Sequence, residues 1–143
     1  MHHISRSAIV PYSCNEMYQL VNQVDSYPEF LDWCSDATIL NQTKDEVTAS
    51  VKINKGSFQK SFTTVNSLTH NCRIDMQLKD GPFSHLSGSW KFTKLSDNAC
   101  KVELQLQFNF ASKLTDLAIS PIFKSIANSQ LDAFVRRAKI IYG

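Results

Sequence analysis

The stretch from Asp36 to Phe110 limits what this chain can fold into more than any other feature. Apolar residues recur there at every second position: Val47, Ala49, Val51 and Ile53; Ile74, Met76 and Leu78; Leu86, Trp90 and Phe92 around Gly88; and Val102, Leu104, Leu106, Phe108 and Phe110. In the last run Glu103, Gln105, Gln107 and Asn109 face the other way. A period of two with one polar side specifies strands of a sheet that is wet on one face and packed on the other. Short turn sequences separate the runs: Lys44-Asp45, Asn54-Lys55-Gly56, Thr69-His70-Asn71, Lys79-Asp80-Gly81-Pro82 and Asp97-Asn98. Connections this short join antiparallel neighbours, so six strands in a meander are expected.

Helical patterns flank the sheet. Residues 3–10 alternate weakly and read as a first strand ended by Pro11. Ser13 stands three residues before Glu16, a capping-box pattern. Met17, Leu20, Val21 and Val24 then predict a helix over 14–24. The segment "DSYPEFLDWC" (25–34) follows, with a short helix expected from near Ser26. Its Tyr27, Phe30, Leu31 and Trp33 are a heavy apolar load for a loop. At the C-terminal end Ser120-Pro121 predicts an N-cap followed by proline at the first helical position. That divides the tail into a short helix over 113–119 and a long one over 121–142. Phe123, Ile126, Ala127, Leu131, Phe134, Ala138 and Ile141 share the long helix's apolar face.

A strand, two short helices, a six-strand meander and a long helix describe an α+β chain of one domain over residues 1–143. This is the order of the helix-grip, or START-like, fold: a seven-stranded curved antiparallel sheet wrapped around a C-terminal helix, usually leaving a cavity between them. The rings of residues 25–34 then cover the mouth of that interior.

Three segments also resemble one family. Residues 6–34, "RSAIVPYSCNEMYQLVNQVDSYPEFLDWC", are similar to the opening of bacterial RatA-like and coenzyme Q-binding START-like proteins. "GPFSHLSGSWKF" (81–92) and "LDAFVRRAKIIYG" (131–143) resemble their internal strand and their ending. Asp32 stands where the family pattern has proline, which loosens the loop and adds a charge near the mouth. The resemblance implies either of two functions: binding of ubiquinone in support of respiration, or a toxin that binds the large ribosomal subunit and blocks its association with the small one. The family name oligoketide cyclase adds a third, enzymatic one.

For a hydrophobic ligand such as ubiquinone or a related prenyl lipid, the wall and mouth candidates are Tyr27, Phe30, Trp33, Phe83, Leu86, Trp90, Phe108, Phe123, Ile126 and Phe134. A five-carbon isoprene unit gains roughly 4 kcal/mol on leaving water, at about 0.8 per methylene-sized group. A prenyl lipid already rests in a membrane, so the expected role is holding or presenting it, with transient membrane contact. For the ribosome the candidates are Lys52, Lys55 and Lys60 around one hairpin, and Arg136, Arg137 and Lys139 near the end. A net charge of +2 by itself implies no nucleic acid, and no DNA partner is expected.

For cyclase chemistry, a general acid or base inside the cavity is required. His85 and Asp75 point outward by strand parity, and Asp80 falls in a turn, so no catalytic residue is assigned. Cys14, Cys34, Cys72 and Cys100 show no metal-ligand spacing, so neither a metal nor a required cofactor is expected. Without a signal peptide or a membrane-length apolar run, the reading is a cytoplasmic protein with reduced thiols, able to sit peripherally at the inner membrane.

Overall fold

A computed structural model describes residues 1–143. The chain begins with β1 (His2–Val10) and α1 (Cys14–Asn22). The capping box forms as expected: the Glu16 backbone N–H donates to Ser13 Oγ at 3.1 Å, and the Ser13 N–H donates to Glu16 Oε1 at 3.0 Å. The segment after α1 is a 3-10 helix over Val24–Glu29, beginning two residues before the expected Ser26. Pro28 explains the tighter winding, because it has no N–H to give the Val24 carbonyl four residues back.

Six strands follow: β2 (Cys34–Gln42), β3 (Glu46–Lys55), β4 (Phe58–Thr69), β5 (Arg73–Asp80), β6 (Phe83–Ser96) and β7 (Ala99–Phe110). They form the expected meander, and β1 joins at the far side to give the order β1-β7-β6-β5-β4-β3-β2. Every pairing is antiparallel. Asp80 is thus the exposed last residue of β5, not part of a turn. Gly88 lies in an unbroken register opposite Leu106. A Cβ there would stand 2.2 Å from the Gln105 carbonyl oxygen, so glycine permits a close approach of β6 to β7 and does not mark a bulge.

The tail departs from the expected two helices. One helix, α2 (Lys113–Tyr142), runs unbroken for 30 residues, about 45 Å at ~1.5 Å per residue. Its N-cap is Ser112, whose hydroxyl accepts from the Thr115 N–H. Ser120 is no cap: buried, it donates its hydroxyl back one turn to Asp116 Oδ1 at 2.8 Å. Pro121 lies exposed inside the helix, where its missing donor frees only a carbonyl of the preceding turn.

The helix packs against the inner face of β1 and against β7. Arg6 reaches across to Asp132 at 3.3 Å, and His2 to Asp116 at 3.1 Å. Two apolar clusters fill the space between sheet and helix. One gathers Phe83, Phe108, Phe110 and Phe123 around the first half of α2; the other gathers Met17, Leu20, Trp90, Phe92, Leu104, Leu131 and Phe134 around its second half.

Candidate ligand cavity and basic surface

The two clusters do not close on each other completely. A cavity of about 100 Å³ remains between them, walled by Leu86, Phe123, Ile126 and Ala127 from the first and by Trp90 and Leu104 from the second. Of its 17 lining residues 14 are apolar, so water inside has few partners. The 3-10 segment and the loop after it bring Tyr27 and Trp33 to the wall. These two rings account for part of the apolar load between residues 25 and 34. Asp32, in place of the family proline, is exposed and stays outside.

Six of the ten expected wall residues line this space: Tyr27, Trp33, Leu86, Trp90, Phe123 and Ile126. Phe30, Phe83, Phe108 and Phe134 do not, because other rings occupy their surroundings. Phe134 is fully buried, with Tyr27, Phe30 and Trp90 at 5.1–5.3 Å between centroids. Phe108 is also fully buried, 4.7 Å from Phe123, and Phe83 stacks on Phe110 at 4.5 Å. Such edge-on and offset pairs consume the aromatic faces as packing.

Three polar residues of the wall escaped the sequence reading: Thr64, Asn66 and Gln130. Thr64 Oγ1 donates to Asn66 Oδ1 at 2.9 Å, and Trp33 Nε1 donates to Gln130 Oε1 at 3.2 Å. A signal for the first two existed. Period two through Phe58, Phe62 and Leu68 of β4 carries Thr64 and Asn66 to the inner face, a polar interruption at core positions.

Tyr27 is the one titratable group of the lining. Burial, with a smaller contribution from Cys34, pushes its hydroxyl well above the ordinary phenol value, and that hydroxyl donates to the Val21 carbonyl. His85 and Asp75 lie outside the cavity: His85 Nε2 is 3.0 Å from Ser87 Oγ, and Asp75 pairs with Arg73 at 2.8 Å. Burial raises the Cys34 thiol to about 11. Burial and then Cys14 raise that of Cys100 to about 12, so neither thiol ionises near neutrality. No group of three His, Cys, Asp or Glu residues is placed to hold a metal.

The cations divide differently from expectation. Lys52, Lys55 and Lys60 are all exposed. Lys52, opposite Ser61, lies on the outer face; Lys55 and Lys60, opposite Phe58 and Ile53, share the inner-face register at the hairpin end. Arg136 and Lys139 are exposed on α2. Arg137 does not join them. Its side chain is 17% exposed, pairs with Glu29 at 2.9 Å and lies 5.0 Å over the Phe30 ring. It clamps the 3-10 segment onto α2 instead of facing solvent.

A curved seven-stranded antiparallel sheet gripping a long C-terminal helix, with an apolar cavity between, is the START-like helix-grip architecture. Two solved structures share it: the Zhui aromatase/cyclase of Streptomyces sp. R1128 (TM-score 0.85, 13% identity, 96% of this chain and 93% of that one) and a START superfamily protein of Mycobacterium smegmatis (TM-score 0.79, 16% identity, 99% of each). At these identities the likeness concerns the fold alone. Residues 10–135 match the family described as polyketide cyclase / dehydrase and lipid transport, and the chain belongs to that family. Among its relatives, the ribosome association toxin RatA of Escherichia coli K12 is 50% identical over 142 residues, 99% of this chain and 90% of that protein. The mitochondrial coenzyme Q-binding protein of Dictyostelium discoideum is 26% identical over 136 residues, 92% of this chain and 66% of that protein. No helix of the chain is long and apolar enough to cross a membrane.

Proposed function

We propose that this protein acts without catalysis, as a cytoplasmic toxin that associates with the ribosome. The observation that carries this reading is the 50% identity to a ribosome association toxin across nearly the whole chain. The resemblance in the opening and closing segments points to the large subunit as the partner. Lys52, Lys55, Lys60, Arg136 and Lys139, exposed and outside the ion pairs of the fold, supply the charge for rRNA phosphates. Each phosphate neutralised contributes about 0.7–0.9 to the salt slope of the affinity. The test is co-sedimentation with large subunits at low and raised salt. Changing these five residues to Glu abolishes sedimentation while leaving thermal unfolding intact. Arg137 is left unchanged, since reversing it would break its pair with Glu29. Wild-type protein that fails to sediment even at low salt overturns this reading.

The cavity favours a second activity, the holding of a hydrophobic molecule of the ubiquinone or prenyl-lipid kind. At about 100 Å³, below the ~150 Å³ known to admit benzene, it holds a ring only with part of the molecule outside or with the wall displaced. A longer tail protrudes or the 3-10 segment opens. Trp33 and Trp90 both line the cavity and report entry by fluorescence. Mass spectrometry of lipids co-purified from the host identifies the occupant, and protein that never carries or extracts lipid overturns this second reading. The cyclase alternative has the least support, because the cavity offers no acid or base except the Tyr27 phenol.

A further inference from the structure

The three polar groups in the cavity wall are arranged in a way that an apolar container does not require. Asn66 is 6% exposed, its carboxamide oxygen taken by the Thr64 hydroxyl. Gln130 repeats the pattern from the opposite wall, its oxygen taken by the Trp33 indole. Both carboxamides are therefore held by their acceptor ends, and neither Nδ2 of Asn66 nor Nε2 of Gln130 donates to a protein atom. The Thr64, Trp33 and Tyr27 hydrogens are already engaged. In a wall that is otherwise apolar, the polar hydrogens without a protein partner are the amide N–H groups of buried Asn66 and half-buried Gln130. No Lys, Arg, His, Asp or Glu lines the space. A carboxylate would find no counter-charge there, and an ammonium no carboxylate. A plain hydrocarbon would offer the two amides no acceptor, whereas a carbonyl oxygen would accept from them.

Resting on the reading of the cavity as a ligand site, we propose that Asn66 and Gln130 are its specificity-determining residues. They select an uncharged, largely apolar molecule whose polar end is a carbonyl, as in a ketone or quinone. Thr64 and Trp33 are positioning residues that fix the direction of the two donors.

The experiment compares three probes of similar size on the full chain: acetophenone, ethylbenzene and benzoate. Affinity is read from Trp33 and Trp90 fluorescence, and the side-chain amide resonances of Asn66 and Gln130 are followed by NMR. Acetophenone is expected to shift both amide resonances, ethylbenzene neither, and benzoate to be excluded. Asn66→Leu and Gln130→Leu are each expected to weaken acetophenone about 3- to 10-fold, the worth of one net hydrogen bond, without weakening ethylbenzene. Thr64→Val leaves Asn66 in place and reproduces a smaller part of that loss, which keeps the test available if a Leu variant does not fold. Acetophenone binding that leaves the amide resonances unmoved overturns the assignment, as does an equal loss of both neutral probes in the variants. If neither neutral probe enters the wild-type protein, the cavity is not a ligand site and the underlying reading falls as well.

Discussion

Filling the cavity separates the two proposed activities. Ala127 is 3% exposed on α2 and contributes to the cavity wall. Ala127→Leu adds three carbon atoms at the wall of a space of about 100 Å³. Burying three methylene-sized groups contributes about 2.4 kcal/mol at ~0.8 each. Fixing the leucine rotamer costs about 0.5–1 kcal/mol. A net stabilisation of about 1.5 kcal/mol follows, or a rise of roughly 3–6 °C in Tm for a domain near this size. Leucine and alanine are both strong helix formers, so propensity contributes little of the difference. Urea unfolding read by tryptophan fluorescence measures the gain. The same variant should lose acetophenone and quinone binding while co-sedimenting with ribosomes as wild type does. Destabilisation by more than about 1 kcal/mol would show that the space is already filled and that the leucine overpacks it. Loss of ribosome association in a stable, ligand-free variant would mean that the two activities share one surface.

Phe134→Ala should destabilise by about 3–5 kcal/mol in urea, because the ring is fully buried among three others; a cost below about 2 kcal/mol would return Phe134 to the cavity wall. Gly88→Ala should cost about 1–3 kcal/mol, since the new methyl meets the Gln105 carbonyl on a paired backbone; a neutral result would refute the close approach. Asp116 is held down to about 2, chiefly by the Phe110 N–H and then by His2 and Ser120. A depressed carboxylate stabilises the fold fully above its ordinary value of 3.8 and loses that contribution as pH falls towards 2. Tm curves of wild type and Asp116→Asn should therefore differ above pH 4 and converge by pH 2, and parallel curves across that range would refute the linkage.

Local chemistry determined much of this protein. Period two in Val102–Phe110 states which side of β7 is buried, and Ser13 with Glu16 starts α1, because both depend only on neighbours along the chain. The short turns between Asp36 and Phe110 leave an antiparallel meander as the order of the strands. Ser120-Pro121 shows where local signals stop. The same pair starts a helix in isolation, but with Ser112 capping and Asp116 bound to Phe110 and Ser120 the helix begins eight residues earlier. The cavity lay further from reach. Parity marks a side chain as inward, but whether it then meets another ring or empty space depends on how two clusters from distant strands meet. Leu104 and Phe108 share one alternating run of β7, yet only Leu104 borders the gap. Arg137 reads as surface charge in the run Arg136–Lys139, until the fold sets Glu29 and Phe30 beside it. Sidedness is a property of the strand; vacancy, and the partner of a charge, are properties of the packed whole.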